Sequence, residues 1–170
     1  MLRFPLLLLL AIALPGCGYH AVGSATHIPS SVRTLAVPIF KSEAQSYHTE
    51  VAMTAAVIHE LNQRTKYRIV NSDADGDAVL RGTVLTESVA PLTYDSTTGE
   101  SSSFLITITA KVVLSSSDGT VLYQNPDYTF RQQYQATEDL TSFIQEDSPA
   151  VKRLSRDFAQ SLVSDMLESF

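Results

Sequence analysis

Residues 104–114 alternate between apolar and polar side chains, and this pattern constrains the fold more than any other feature of the sequence. The apolar positions are Phe104, Ile106, Ile108, Ala110, Val112 and Leu114. The positions between them include Thr107, Thr109 and Lys111. A period of two predicts a β-strand with one face in a hydrophobic core and the other face polar.

Two further segments, 79–92 and 121–134, have a composition typical of long strands. The Asp-Gly pair at 118–119 indicates a tight hairpin turn between 104–114 and 121–134. The connection 93–103 is longer, so we expect it to project beyond the sheet.

The first part of the folded region predicts a strand, a helix and a second strand. Residues 32–40 have strand composition, with Pro38 near the far end, and 45–63 show the three-four spacing of an amphipathic helix. We expect a side chain within 42–46 to cap this helix. Residues 67–70 predict a short strand, and a strand, helix, strand unit requires parallel pairing.

The C-terminal segment predicts a second amphipathic helix, which begins at Ser148 and Pro149. Ser155 is predicted to lie on its polar face, so Ser155→Ala should change stability little. The predicted apolar stripe contains Val151, Leu154, Phe158, Leu162, Met166 and Phe170.

These elements predict an α+β fold, a two-layer sandwich in which two amphipathic helices cover one face of a mixed, mainly antiparallel sheet. The other sheet face would remain free for a partner. The chain has 170 residues, of which 44% are hydrophobic, enough for one core. We therefore expect a single α/β domain over residues 31–170.

The N-terminus has the layout of an export signal. Arg3 precedes an uncharged apolar run over 4–14, which is shorter than the roughly 20 residues that span a bilayer. Leu14-Pro15-Gly16-Cys17 follows and resembles the bacterial lipobox, in which the cysteine becomes the lipidated first residue.

We therefore expect a signal peptide at 1–16, lipid attachment at Cys17 and a lipidated tether over 17–30. The alternative is an unmodified cysteine after an ordinary signal. Gly18, rather than aspartate, follows the cysteine. This resembles the sequence that sorts lipoproteins to the outer membrane, where the protein would face the periplasm or lie in a barrel lumen.

Composition and motifs argue against several classes of function. Twelve Lys and Arg against 18 Asp and Glu give a net charge of -6, which disfavours nucleic acid as a partner. A single cysteine forms neither an internal disulfide nor a cysteine-rich zinc site. No catalytic or nucleotide-binding motif is present, so we expect neither enzymatic activity nor a cofactor.

Two weak metal-binding patterns also favour ordinary surface structure. His59-Glu60 opens like a zinc-protease helix, but Gln63 stands where the second histidine is needed. The loop that contains Asp73, Asp75 and Asp77 resembles the start of a calcium loop, but its glutamate ligand is missing. We predict no metal site and favour a solvated turn, while ion binding by this loop remains open.

Two sets of residues are candidates for binding. Arg64, Lys66, Arg68 and Arg81 could form a patch for an anionic ligand, although dipole compensation and ordinary surface charge explain them equally. Ser96 and Thr98 in the connection 93–103, with Lys111 and Arg131 on neighbouring strands, are candidates for a partner interface.

Three segments resemble the LptE family of lipopolysaccharide-assembly lipoproteins: CGYH at 17–20, TLAVPIF at 34–40 and NQRTKYRIV at 62–70. The resemblance extends over nearly the whole mature chain in element order. It implies a fold of two helices against a mainly antiparallel sheet. It also implies an outer-membrane lipoprotein that plugs the LptD β-barrel, assists its assembly and promotes lipopolysaccharide insertion into the outer leaflet.

The resemblance places lipopolysaccharide contacts in basic segments that this chain lacks. In the family these contacts come from the loop between two long strands and from the segment before the last helix. Here the corresponding residues 94–100 and 136–139 are acidic. Barrel plugging is therefore the better supported expectation. The alternative is a lipid-anchored periplasmic binding module for another envelope ligand or partner, which a deep pocket would favour.

Overall fold

Short strands and one helix form the first part of the fold, and three long strands and a second helix form the rest. The computed structural model describes residues 28–44, 48–94, 96, 101–135 and 149–168. Its elements in chain order are β1 (Thr34–Ala36), β2 (Lys41–Ser42), α1 (Thr49–Arg64), β3 (Arg68–Val70), a 3₁₀ turn (Asp73–Asp75), β4 (Ala78–Tyr94), β5 (Ser101–Ser116), β6 (Val121–Gln135) and α2 (Pro149–Glu168).

The sheet is mixed, as the sequence predicted. Its strand order is β3-β1-β4-β5-β6, and β2 pairs with β4 further along that strand. β1 lies parallel to β3 and to β4, and this confirms the predicted unit of strand, helix and strand. β4, β5 and β6 pair antiparallel to one another in that order. Both helices pack on one face, so the predicted α+β two-layer fold is confirmed.

The predicted strand 32–40 is divided into β1 and β2. Between them the register with β4 slips by one residue, from Ala36 opposite Val79 to Lys41 opposite Thr83. Pro38 lies in the interval and has no N–H to donate, so a continuous hydrogen-bond ladder cannot pass through it.

The start of α1 differs from the prediction. Its N-cap is His48, which has a φ of 56° and makes no capping hydrogen bond with its side chain. The amides of Val51 and Ala52 donate to the His48 carbonyl instead. The prediction of a cap within 42–46 was wrong, because a left-handed residue at 48 prevents the helix from extending further back.

The alternation in β5 separates core from surface as predicted. Ile106, Ile108 and Val112 are almost completely buried, whereas Lys111 is exposed. Phe158 of α2 completes the core. Its ring lies edge-on to Phe40, with 6.3 Å between the ring centroids. It also lies edge-on to two aromatic rings of β6, with centroid distances of 5.8 Å to Tyr128 and 5.6 Å to Phe130. This cluster joins the long strands to the segment between β1 and β2.

The placement of Ser155 on a polar face was wrong. Ser155 is only 2% exposed, because α2 packs against both α1 and the sheet and therefore buries two adjacent stripes. Its Oγ has no hydrogen-bond partner among the described residues. Leu154 and Phe158 are buried as predicted, and Phe170 lies outside the described residues.

The loop 71–77 covers the end of β1 on the face opposite the helices. A β-carbon on Gly76 would lie 2.7 Å from the Ala36 β-carbon, so only glycine allows this close approach. Asp77 fixes the loop, since its Oδ2 accepts hydrogen bonds from the amides of Arg33 at 2.9 Å and Thr34 at 2.8 Å. The rest of that sheet face, on β4 to β6, is left uncovered by the described elements.

Candidate partner surface

A row of hydroxyl side chains covers the uncovered face of β4, β5 and β6. Strand register places Thr86 beside Thr109 and Thr109 beside Thr129, and the Oγ1 atoms of the last two lie 3.1 Å apart. We call this surface the open face; its residues are Thr83, Thr86, Ser88, Thr107, Thr109, Lys111, Thr129 and Arg131. Leu105 and Val113 lie on the same face, and the hydroxyls between them can exchange hydrogen bonds with another surface directly or through water.

The open face includes two of the predicted interface residues. Lys111 lies opposite Thr83 of β4, and Arg131 lies opposite Thr107 of β5, and both charged side chains are exposed. Ser96 is exposed just beyond the end of β4, and Thr98 lies outside the described residues. The structure therefore brings Lys111 and Arg131 to one surface, while their contact with a partner remains a prediction.

The four candidate anion-binding residues do not form one cluster. Arg64 lies in the helix layer, where it donates to Ser164 Oγ at 2.7 Å and approaches Glu60 and Glu168 at 3.5 and 3.9 Å. Arg81 is separated from it by the sheet and forms an ion pair with Asp73.

The remaining two candidates, Lys66 and Arg68, are exposed beside the β3 edge, and Arg68 lies opposite Thr34. Arg68 also contributes a favourable charge near Asp77. Anion binding by any of the four residues stays a prediction, and for Arg64 and Arg81 it would compete with these acidic partners.

The acidic loop uses its carboxylates to hold the fold together. Asp73 binds Arg81, and the backbone amides of Arg33 and Thr34 hold the pKa of Asp77 below its usual value. The described residues contain no group of three or more His, Cys, Asp or Glu side chains that could hold a metal ion. The expectation that this loop is a solvated turn without a metal site stays a prediction.

An open groove of about 440 Å³ lies between α1, β3 and the acidic loop. Its lining residues are Ile58, Asn62, Ile69, Val70, Asn71 and Asp75. The groove is broad and open to solvent, so it differs from the deep pocket expected for a small-ligand binding module.

The sequence did not predict the apolar end of the long strands. Val89, Leu92 and Tyr94 are 42%, 44% and 63% exposed, and Phe104 stacks on Tyr134 with ring centroids 5.6 Å apart. The lengths of the predicted strands and helices could have indicated that this end of the sheet is not covered by a helix. At about 3.3 Å per residue β4 is much longer than α2, which rises about 1.5 Å per residue, so the strands extend beyond the helices.

Lys41 is a second surface residue that sequence analysis missed. β2 pairs with β4 so that Lys41 lies beside Thr83, and Lys111 lies on the other side of the same threonine. Lys41 is exposed on the same side of the sheet as the open face. No local pattern predicts this position, because it depends on the one-residue register slip around Pro38.

The fold and the open face define a two-layer α+β protein that presents a polar sheet surface. Similar folds occur in solved bacterial lipoproteins. Rare lipoprotein B from Shewanella oneidensis has a TM-score of 0.50 and 17% identity, covering 80% of this chain and 95% of that one. Lipoprotein B from Nitrosomonas europaea has a TM-score of 0.51 and 12% identity, covering 82% and 88%.

A model of the lipopolysaccharide-assembly family LptE matches residues 32–166. The chain therefore belongs to the LptE family, and the resemblance found in the sequence is confirmed. No curated protein matches the chain. Within the part of the chain that the structure describes, neither helix has the length and apolar character needed to cross a membrane.

Proposed function

We propose that this protein is an outer-membrane lipoprotein that plugs the β-barrel of the lipopolysaccharide transport machinery, assists its assembly and promotes insertion of lipopolysaccharide into the outer leaflet. Membership of the LptE family supports the role in lipopolysaccharide assembly. The role requires binding and scaffolding and involves no catalysis or cofactor. The proposed partners are an LptD-like barrel, lipopolysaccharide and, through the lipid anchor, the outer membrane.

The open face is the observation that carries the plug proposal. The lumen of a large outer-membrane barrel is polar and filled with water, so a protein inside it needs a polar outer surface. The hydroxyl row of Thr86, Thr109 and Thr129 meets this requirement over three adjacent strands. Ser96, Thr98, Lys111 and Arg131 are the residues proposed to contact the wall.

Membrane attachment is proposed to come from Cys17 after removal of residues 1–16, with 17–30 as the tether to the domain at 31–170. Cys17 and residues 18–27 lie outside the described residues. Each buried methylene of an acyl chain contributes about 0.8 kcal/mol, so two or three chains hold a protein on a membrane almost permanently. Mass spectrometry of the mature N-terminus tests this directly. An unmodified Cys17, or cleavage at another bond, would contradict it.

Affinity purification from detergent-solubilised outer membranes tests the barrel assignment. The full-length chain should bring down a large β-barrel, and photocrosslinkers at Ser96, Thr98 and Lys111 should capture it. Matched probes at Arg153 and Gln160, on the exposed side of α2, should not. If only the α2 probes capture the barrel, the protein docks through its helices and the proposed orientation is wrong.

A lipid-anchored binding module for another envelope ligand is the alternative function. The groove beside Asn62 and Asp75 is the structural feature that could serve it. Purification of the full-length chain without any barrel, but with a bound soluble ligand, would favour this alternative.

A further inference from the structure

The open face carries an excess of positive charge although the whole chain has a net charge of -6. Its exposed cations are Lys111 and Arg131, and Lys41 adds a third at the same level as Thr83. None of the three has an ion pair within 4.0 Å among the described residues. Arg81 also lies on this side of the sheet, but its charge is balanced by Asp73.

Strand register defines how these cations are spaced. Lys41 and Lys111 flank Thr83 on neighbouring strands, so their backbones lie about 10 Å apart, at roughly 4.8 Å per strand. Arg131 lies two rows further along the sheet, beyond the pair formed by Thr109 and Thr129. The three charges are therefore spread along the open face and do not converge on one point.

Two acids lie near these cations: Asp127 on β6, and Glu43, which is exposed two residues after Lys41. Asp127 accepts a hydrogen bond from the Thr129 hydroxyl at 3.1 Å and lies beside the irregular pairing of β5 with β6. These two carboxylates do not balance three dispersed cations, and a positive charge remains on the face. If the open face is covered by a partner, each cation loses its hydration, and this cost must be offset by an acceptor on the partner.

We propose that the part of the partner barrel's wall that faces this surface carries carboxylates that pair with Lys41, Lys111 and Arg131. This inference rests on the proposed function, because it concerns the wall that the plug contacts. The proposed partner surface carries separate acidic side chains, with about 10 Å between the two that meet the lysines and a third further along for Arg131, set among groups that bond to the threonine hydroxyls. Such pairs set the register and orientation of the plug within the barrel.

Zero-length carbodiimide crosslinking tests the inference on the detergent-purified complex of the full-length protein with its barrel. The reagent joins a lysine amine to a carboxylate in direct contact. Mass spectrometry should find Lys41 or Lys111 joined to aspartate or glutamate of the barrel. Lys152, an exposed lysine on α2, is the matched control and should give no crosslink to the barrel.

Substitutions separate charge pairing from folding. The pair K41R and K111R should keep the complex but lose the crosslinks, because guanidinium does not react. Reversal by K41E and K111E should lower barrel recovery at least tenfold, whereas R153E and R156E on α2 should leave recovery within twofold. Thermal unfolding of each full-length variant in detergent confirms that the variants remain folded.

The outcomes distinguish this inference from the proposed function. If the wild-type chain recovers no barrel, both fail. If the barrel is recovered, but Lys41 and Lys111 give no crosslink and their reversal has no effect, the acidic wall is refuted while the plug stands. If reversal instead lowers retention of lipopolysaccharide micelles and leaves barrel recovery unchanged, the cations bind phosphate and the inference is also overturned.

Discussion

The ring of Phe40 lies directly against the α-carbon of Gly82 on the core side of the sheet. A β-carbon on Gly82 would lie 2.4 Å from Cδ2 and 2.5 Å from Cε2 of that ring, well inside contact distance. The same ring meets Phe158 edge-on. The missing side chain of Gly82 therefore makes room for the contact that joins β4 to α2.

Gly82→Ala should destabilise the protein by about 1–3 kcal/mol, because the added methyl forces the Phe40 ring out of a packed core. The free energy of unfolding in urea measures this. Phe40→Leu in the same chain should recover part of the loss. Gly119→Ala is the control. Alanine at this position is strained by the φ of 90°, but it meets no neighbouring atom, so Phe40→Leu should not restore the lost stability.

Leu154→Ala and Phe158→Ala should each cost about 2–5 kcal/mol, because both side chains are completely enclosed and truncation leaves a cavity. Gln160→Ala, on the exposed side of the same helix, should change the unfolding midpoint very little. Equal midpoints for the three variants would contradict the packing of α2.

Ser155→Ala should stabilise the protein by about 1 kcal/mol. The Ser155 hydroxyl is buried with no partner among the described residues, and alanine removes the cost of its desolvation. Alanine also has the higher helix propensity. A loss of stability in thermal or urea unfolding would show that the hydroxyl makes a contact in the folded protein.

Asp77→Asn should weaken the fold at neutral pH more than it does in acid. Backbone hydrogen bonds from Arg33 and then Thr34 lower the pKa of Asp77 below the ordinary value of 3.8. The stability that this carboxylate contributes is therefore present above about pH 4 and is lost as the pH falls through the lowered pKa.

Unfolding measured from pH 7 to pH 2 should thus show the difference between wild type and Asp77→Asn shrinking in acid. Asp75→Asn serves as the control within the same loop, because that carboxylate makes no hydrogen bond to the described backbone. A constant difference across the range would mean that the charge of Asp77 does not matter.

Tyr128 should remain protonated at a pH where ordinary tyrosines ionise. Burial, and then its hydrogen bond to Asp165, raise its pKa above 10.0, and burial also raises the pKa of Tyr123. A raised pKa contributes stability that is fully present below about pH 10 and is lost as the pH rises toward the folded value.

Absorbance of tyrosinate during an alkaline titration should therefore show a delayed fraction in wild type that Tyr128→Phe reduces, while buried Tyr123 still contributes to it. The variant should also lose less stability between pH 9 and pH 11. Tyr94→Phe, at an exposed site, is the matched control and should keep the delayed fraction. A wild-type protein whose tyrosines all titrate together near pH 10 would contradict the enclosed hydroxyl.

The sequence by itself determined the elements whose signal is local. Alternation over 104–114 predicted which side chains of β5 enter the core, because successive residues in a strand must point to opposite faces. The Asp-Gly turn followed from the left-handed conformation that glycine tolerates, and Gly119 indeed has a φ of 90°. The LptE resemblance was likewise readable from segments of the chain and is confirmed by the family match.

Tertiary structure decided the features that depend on which elements meet. Ser155 is buried because α2 packs against two neighbours, and a single apolar stripe could not show the second. Arg64 is engaged because α1 and α2 bring it to Ser164, a hundred residues away in the sequence. Lys41 lies on the same face as Lys111 because the register of β1 and β2 with β4 slips by one residue around Pro38. These strands are about forty residues apart in the chain, and contacts at such separations leave no periodic pattern in the sequence.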